Sequence, residues 1–193
     1  MPFRPEFREA LILFATAIQR LRMRGIEAPI LVGGAAVELF TGGQVTSGDF
    51  DFVSASKDEF FKELLALGFV RPAGVGWLDR SLFHPDLGFG VQVVSGFLMD
   101  GQADRSRVRV LRLDEKDGGR EAWVIPIEDL IADRMAQALA VPGRIRKDMQ
   151  NQSIRLYQLA DVVDNDYLNS RIKTETGDEA SLATLLDWLK ISG

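Results

Sequence analysis

Two aspartates one residue apart, Asp49 and Asp51, stand in the run DFDFV, and two adjacent glycines, Gly33 and Gly34, precede them in ILVGGAAVELF. Asp, Phe, Asp, Phe alternates with the period of a strand whose two faces differ in polarity, so both carboxylates point the same way. Separated by about 7 Å along the backbone, they can converge on one hard cation through oxygen. Mg2+ suits such a pair, because it keeps several waters and completes its shell with substrate phosphates. The glycines supply the complementary half. A strand, then Gly33-Gly34, then a helix beginning near Ala35 brings backbone N–H groups up to a phosphate with no Cβ in the way. Taken singly, a glycine pair is most often a turn and Asp-Phe-Asp an acidic strand face. The order and spacing of the two carry the inference.

The flanking sequence has to position these groups. Residues 5–24 place Leu11, Phe14, Ala15, Ile18 and Leu21 at helical spacing, which predicts an amphipathic helix ending near Gly25. Ile30 to Val32 and Asp49 to Val53 read as strands. Ser56 reads as the cap of a helix SKDEFFKELLALG, with Glu59 as its capping-box partner. Phe69 to Arg71, Trp77 to Phe83, Phe89 to Val94, Val108 to Leu113 and Glu121 to Ile125 are further strand candidates, and His84 reads as a residue of a hairpin tip. After Pro126 the texture becomes helical: Ile127 to Leu139, Lys147 to Val163, Asn165 to Ile172 and Asp178 to Leu189, with Lys173 to Gly177 as a connector. The expectation is an α/β (α+β) fold, a mixed sheet flanked by helices over residues 1–125 and a C-terminal helical bundle over residues 126–193. Trp77, Trp123 and Trp188 read as packing residues.

Glycine-glycine, a spacer and then Asp-Phe-Asp in a strand resembles the motif of the DNA polymerase beta-like nucleotidyltransferase superfamily. The phrasing LVGGAAVELFTGGQVTSGDFDFV is most similar to small prokaryotic nucleotidyltransferases of the AbiEii/AbiGii toxin group, and IPIEDLIADRMAQAL with RIRKDMQNQSIRLYQL is similar to that group's helices. The resemblance implies a Gly33-Gly34 turn for the triphosphate, Asp49 and Asp51 as catalytic metal ligands for Mg2+, and Ser47 as a phosphate-binding hydroxyl. It also implies Arg134 as the basic helix residue and Lys147 with Asp148 as the basic-acidic pair, Arg144 and Arg146 being the alternatives. The activity implied is transfer of a nucleoside monophosphate from an NTP to a hydroxyl of tRNA, protein or a small molecule, with an antitoxin as partner. The family places a third carboxylate on a later strand. The corresponding stretch GFGVQVVSGF puts Gln92 there, a residue that offers a neutral oxygen but cannot act as a general base. Asp79 and Asp86 are the alternatives if a neighbouring strand supplies that ligand. With Gln92 in place, the other outcome is a catalytically impaired member that binds a nucleotide or partner without turnover.

Composition bounds these expectations. The 193 residues, 46% of them hydrophobic and 26% charged, suffice for a sizeable core. A net charge of -5 argues against a globally basic nucleic-acid scaffold. The chain has no cysteine, which excludes disulfides and thiolate metal sites and fits a reducing cytoplasm. The N-terminal MPFRPEFREA carries charges where the apolar core of a signal peptide would begin, and no apolar run is long enough to span a bilayer.

Overall fold

The computed structural model describes residues 3–72, 81–113 and 119–192. Its sheet has six strands: β1 (Ile30–Val32), β2 (Asp49–Val53), β3 (Ser81–His84), β4 (Phe89–Ser95), β5 (Arg109–Arg112) and β6 (Glu121–Val124). They lie in the order β3-β4-β2-β1-β6-β5. β2 runs antiparallel to β1 and parallel to β4, whereas β1 runs parallel to β6, so the sheet is mixed, as expected. The helices are α1 (Pro5–Met23), α2 (Gly33–Phe40), α3 (Lys57–Leu65), α4 (Ile127–Ala140), α5 (Arg144–Leu159), α6 (Asn165–Thr176) and α7 (Leu182–Ser192).

The alternation in β2 gives the sheet its two characters. Phe50 and Phe52 are almost wholly buried and meet Phe14 of α1 with ring centroids 4.7 and 5.0 Å away. Phe7 of α1 stacks on Phe50, and Phe60 of α3 meets Phe52 edge-on. Burying each such ring stabilises the fold by about 1.5–3 kcal/mol relative to leaving it in water. The opposite face of β2 and β4 presents Asp49, Asp51 and Gln92, and α4 with α6 stands beyond one end of it. α4 is the most buried helix of the C-terminal set and packs on α5 and α6. No helix among the described residues is long and apolar enough to cross a membrane.

Several local expectations need correction. α2 begins at Gly33, so the glycines form the first turn of the helix instead of a turn before it. Ser56 precedes α3 but makes no side-chain cap; its N–H donates to the Ser54 hydroxyl. Phe69 to Arg71 contributes only one bridge, Val70 to Phe83. Most of the Trp77 to Phe83 candidate, including Trp77 and Asp79, lies outside the described residues. His84 ends β3 and is buried edge-on against the Phe69 ring, 5.0 Å away, so it is a packed strand residue and the turn follows it. α5 starts at Arg144 and stops at Leu159, and α6 runs on through residues read as a connector to Thr176.

Candidate functional site

Register brings the acidic pair together with both glycine-bearing segments. Asp51 lies opposite Val32 on one side and Gln92 on the other, and Asp49 lies opposite Gly90. Gly33 immediately follows Val32, at φ +65°, a left-handed conformation that a residue with a side chain adopts only under strain. A Cβ at Gly33 would stand 2.3 Å from Asp51 Oδ2, and one at Gly90 would stand 2.6 Å from Asp49 Oδ1. Each carboxylate therefore rests on the bare backbone of a glycine. Gly90 was not singled out by sequence, although a glycine inside a strand is the usual sign of such close approach.

Each aspartate spends one oxygen on the protein. The Gly90 N–H donates to Asp49 Oδ1 at 2.9 Å, and the Gln92 amide donates to Asp51 Oδ1 at 2.6 Å. Among the described residues the second oxygen of each takes no hydrogen bond. Burial pushes the Asp51 carboxyl above the usual carboxylate range, with Asp49 and Asp133 adding to the rise and the Gln92 hydrogen bond and the Arg134 charge opposing it. Beside this pair, the first turn of α2 has no side-chain cap, which leaves its N–H groups for an anion.

Ser47 lies against Gly34, its Oγ 3.0 Å from where a Cβ there would be, and donates that hydroxyl to the Asp49 carbonyl. Its backbone is pinned as well. The buried Glu38 carboxylate accepts from Ser47 N–H at 2.6 Å and from Arg4 at 2.8 Å, and Arg4 also donates to the Ser47 carbonyl. This clamp, which the sequence did not reveal, fixes the loop that delivers Asp49.

A cleft of about 360 Å³ opens beside Asp51 and Gly33. Val53, Val94 and Ser95 form part of its wall from the sheet, Asp100 from the turn after β4, Asp133, Arg134 and Gln137 from α4, and Glu175 from α6. Arg134 is buried, donates to Asp133 at 2.5 Å, and reaches Met149 and Gln152 on α5. The structure thus sets Gly33, Asp51 and Arg134 around one cleft. Asp49, Gln92, Gly34 and Ser47 adjoin it without lining it. Lys147 is exposed in the first turn of α5 and lines no part of the cleft; Arg144, also exposed, comes within 3.9 Å of Asp148. Asp86 sits in the exposed turn after β3.

The donor set can be tested against Mg2+. Among the described residues no three acidic or histidine side chains cluster to form an all-protein metal site. Two carboxylates with one unspent oxygen each fit a hard cation that takes the rest of its shell from water and phosphate. At Gly33 a methyl group would have to displace the Asp51 carboxylate from its seat. Were Asp51 to hold such a cation, Gly33→Ala would weaken Mg2+-dependent nucleotide binding at least about tenfold, because the clash falls on that movable side chain. Titration calorimetry with Mg2+ and each NTP checks this, and unchanged affinity would show that Asp51 does not hold the metal.

The fold has solved counterparts. The chain is similar to the crystal structure of an antigenic nucleotidyltransferase-like protein from Paracoccidioides brasiliensis, with 16% identity, a TM-score of 0.64, and coverage of 96% of this chain and 92% of that one. It is also similar to the solution structure of the antibiotic-resistance factor ANT(2'')-Ia, with 12% identity, a TM-score of 0.49, and coverage of 96% and 99%. No protein-family model and no curated protein matches the chain. The first of these likenesses establishes a nucleotidyltransferase-like fold.

Proposed function

We propose that the protein transfers a nucleoside monophosphate from an NTP to an acceptor hydroxyl with Mg2+. The observation that carries this is the seating of two same-face carboxylates on glycine backbone, each with an unspent oxygen, at the open N-terminus of α2. In this proposal the first turn of α2 binds the triphosphate, Asp49 and Asp51 hold the cation, and Ser47 and the Glu38–Arg4 clamp keep Asp49 in place. Arg134, on the far wall of the cleft, faces the phosphates. Bound Mg2+ would offset the charge that develops on the departing pyrophosphate. Residues 1–125 then carry the phosphate and metal groups, and residues 126–193 supply the opposite wall. The acceptor belongs to RNA, protein or a small molecule, and a cytoplasmic toxin held by an antitoxin is the cellular setting that the sequence resemblance suggests.

One observation favours a second proposal, a nucleotide-binding protein without turnover: Gln92 occupies the strand position opposite Asp51 and spends a hydrogen-bond donor on it. The two are separated by incubating the protein with Mg2+, each labelled NTP and, separately, bulk tRNA, total soluble protein or polyhydroxylated small molecules. Label transferred to any pool supports the enzyme. Nucleotide binding with no transfer to any pool supports the binding protein.

Protonation should compete with the cation. Because the folded protein holds the Asp51 pKa above the usual value, Asp51 gains its proton at a higher pH on acidification than an ordinary aspartate does. Mg2+-NTP affinity is expected to fall as pH drops through that upper range, by up to about tenfold per pH unit below the shifted pKa. Calorimetry across about pH 4 to 7 measures it; affinity flat down to the ordinary aspartate range would contradict the assignment.

A further inference from the structure

The position opposite Asp51 holds a glutamine, so the proton of an attacking hydroxyl must go elsewhere if transfer occurs. Besides Asp51, the cleft is lined by three carboxylates, Asp100, Asp133 and Glu175. Asp133 is fully engaged: one oxygen accepts from Gln137, and the other accepts from Gln137 and twice from Arg134. Asp100 lies exposed in the turn after β4. Glu175 differs from both. It stands in the last turn of α6, four-fifths buried, with Oε1 held by Arg171 and Oε2 without a hydrogen bond among the described residues. Arg171 is itself fixed, since it is buried and donates to the fully buried Asp129 at 2.6 Å.

Building on the transfer chemistry proposed above, we infer that Glu175 is the general base that takes the proton of the acceptor hydroxyl. The acceptor oxygen forms a bond to the α-phosphorus while the bond from that phosphorus to the oxygen bridging to the β-phosphorus breaks. Pyrophosphate leaves with the electron pair, and the hydroxyl proton passes to Oε2 of Glu175. Burial pushes the Glu175 carboxyl above the ordinary range, Asp133 and Asp129 add to the rise, and Arg171 opposes it. A raised carboxylate is the better proton acceptor near neutral pH. α6 thereby supplies from the helical wall what β4 lacks.

The test compares the wild type with Glu175→Gln, which keeps an oxygen for Arg171, and with Glu175→Asp, which keeps the charge but withdraws it. Steady-state kcat is measured with the acceptor pool labelled in the transfer assay, alongside Mg2+-NTP affinity and Tm. The expected result is a fall in kcat of about 10²–10⁴-fold in Glu175→Gln, a smaller fall in Glu175→Asp, and unchanged nucleotide affinity and Tm. Near-wild-type kcat in Glu175→Gln overturns the assignment of Glu175 and leaves the transfer proposal standing. A loss of kcat that tracks lost affinity or lost Tm in both variants also overturns it, because the role is then structural. If the wild type labels no pool, the transfer proposal fails and this one falls with it.

Discussion

Asp51→Asn is expected to abolish label transfer while leaving the protein as stable as before, or more so. Asparagine matches the size of aspartate and its one oxygen still accepts from Gln92, but its NH2 then stands where the carboxylate offered a cation its charged second oxygen. Losing several kcal/mol of metal-borne stabilisation corresponds to a fall of about 10³-fold or more in rate. The sign of the stability change follows from the same burial. Asp51 has a folded pKa above its unfolded value, so its ionised form is disfavoured in the folded state at neutral pH. That contribution favours folding only at low pH and is lost as pH rises through the shifted pKa. Removing the charge should therefore leave Tm unchanged or raise it. Activity lost without stability lost is the mark of a residue kept for chemistry. A variant that loses both would instead show Asp51 to be part of the scaffold.

Arg171→Leu should have the largest effect on stability. Arg171 is 4% exposed and bridges Asp129, which is 0% exposed, to Glu175 one turn further along α6. Tyr167 donates its hydroxyl to the other oxygen of Asp129, and Arg107 lies over the Tyr167 ring and pairs with Asp164. Removing the guanidinium strands a buried carboxylate with a single phenol partner, at a cost of about 3–5 kcal/mol. For a domain of this size that lowers Tm by about 6–20 °C. The double variant Asp129→Asn/Arg171→Leu should recover part of the loss, because a missing pair is less costly than half of one. Thermal melts followed by circular dichroism measure both. A single variant within a degree of wild type would mean that Asp129 loses its charge, or gains another partner, when Arg171 is gone.

The parts legible in the sequence are those whose signal is local. The period of DFDFV gave both carboxylates one face, because strand alternation is a local signal, and the resemblance singled out Gln92 on the later strand, which the register then sets opposite Asp51. What escaped depends on distant segments. Gly90 meets Asp49 across 41 residues, and Arg4 meets Glu38 across 34. Ser56 has the right type for a cap but bonds locally to Ser54, and no capping-box signal can weigh that competition. Glu175 was hidden by a boundary: with α6 expected to stop near Ile172, it fell in a connector, and only the last turn of the helix carries it to the cleft. Lys147 shows the converse. The resemblance paired it with Asp148 facing the nucleotide, yet α5 starts three residues earlier than periodicity indicated and carries Lys147 exposed in its first turn.

The three-residue β1 sits mid-sheet with β2 on one side and β6 on the other, and its Leu31 is in register with Val124. On a ribosome this orders events in time. β1, β2 and β4 emerge early and can assemble the acidic pair on its glycines, but β1 keeps an unpaired edge until β6 has been made, and α4 and α6 come later still. A nascent chain therefore carries an unpaired strand edge from the making of β2 to that of β6, and a half-built cleft until α6 follows. Ribosome stalling before residue 121 should favour aggregation, whereas a chain whose α6 has left the ribosome should be able to close its cleft.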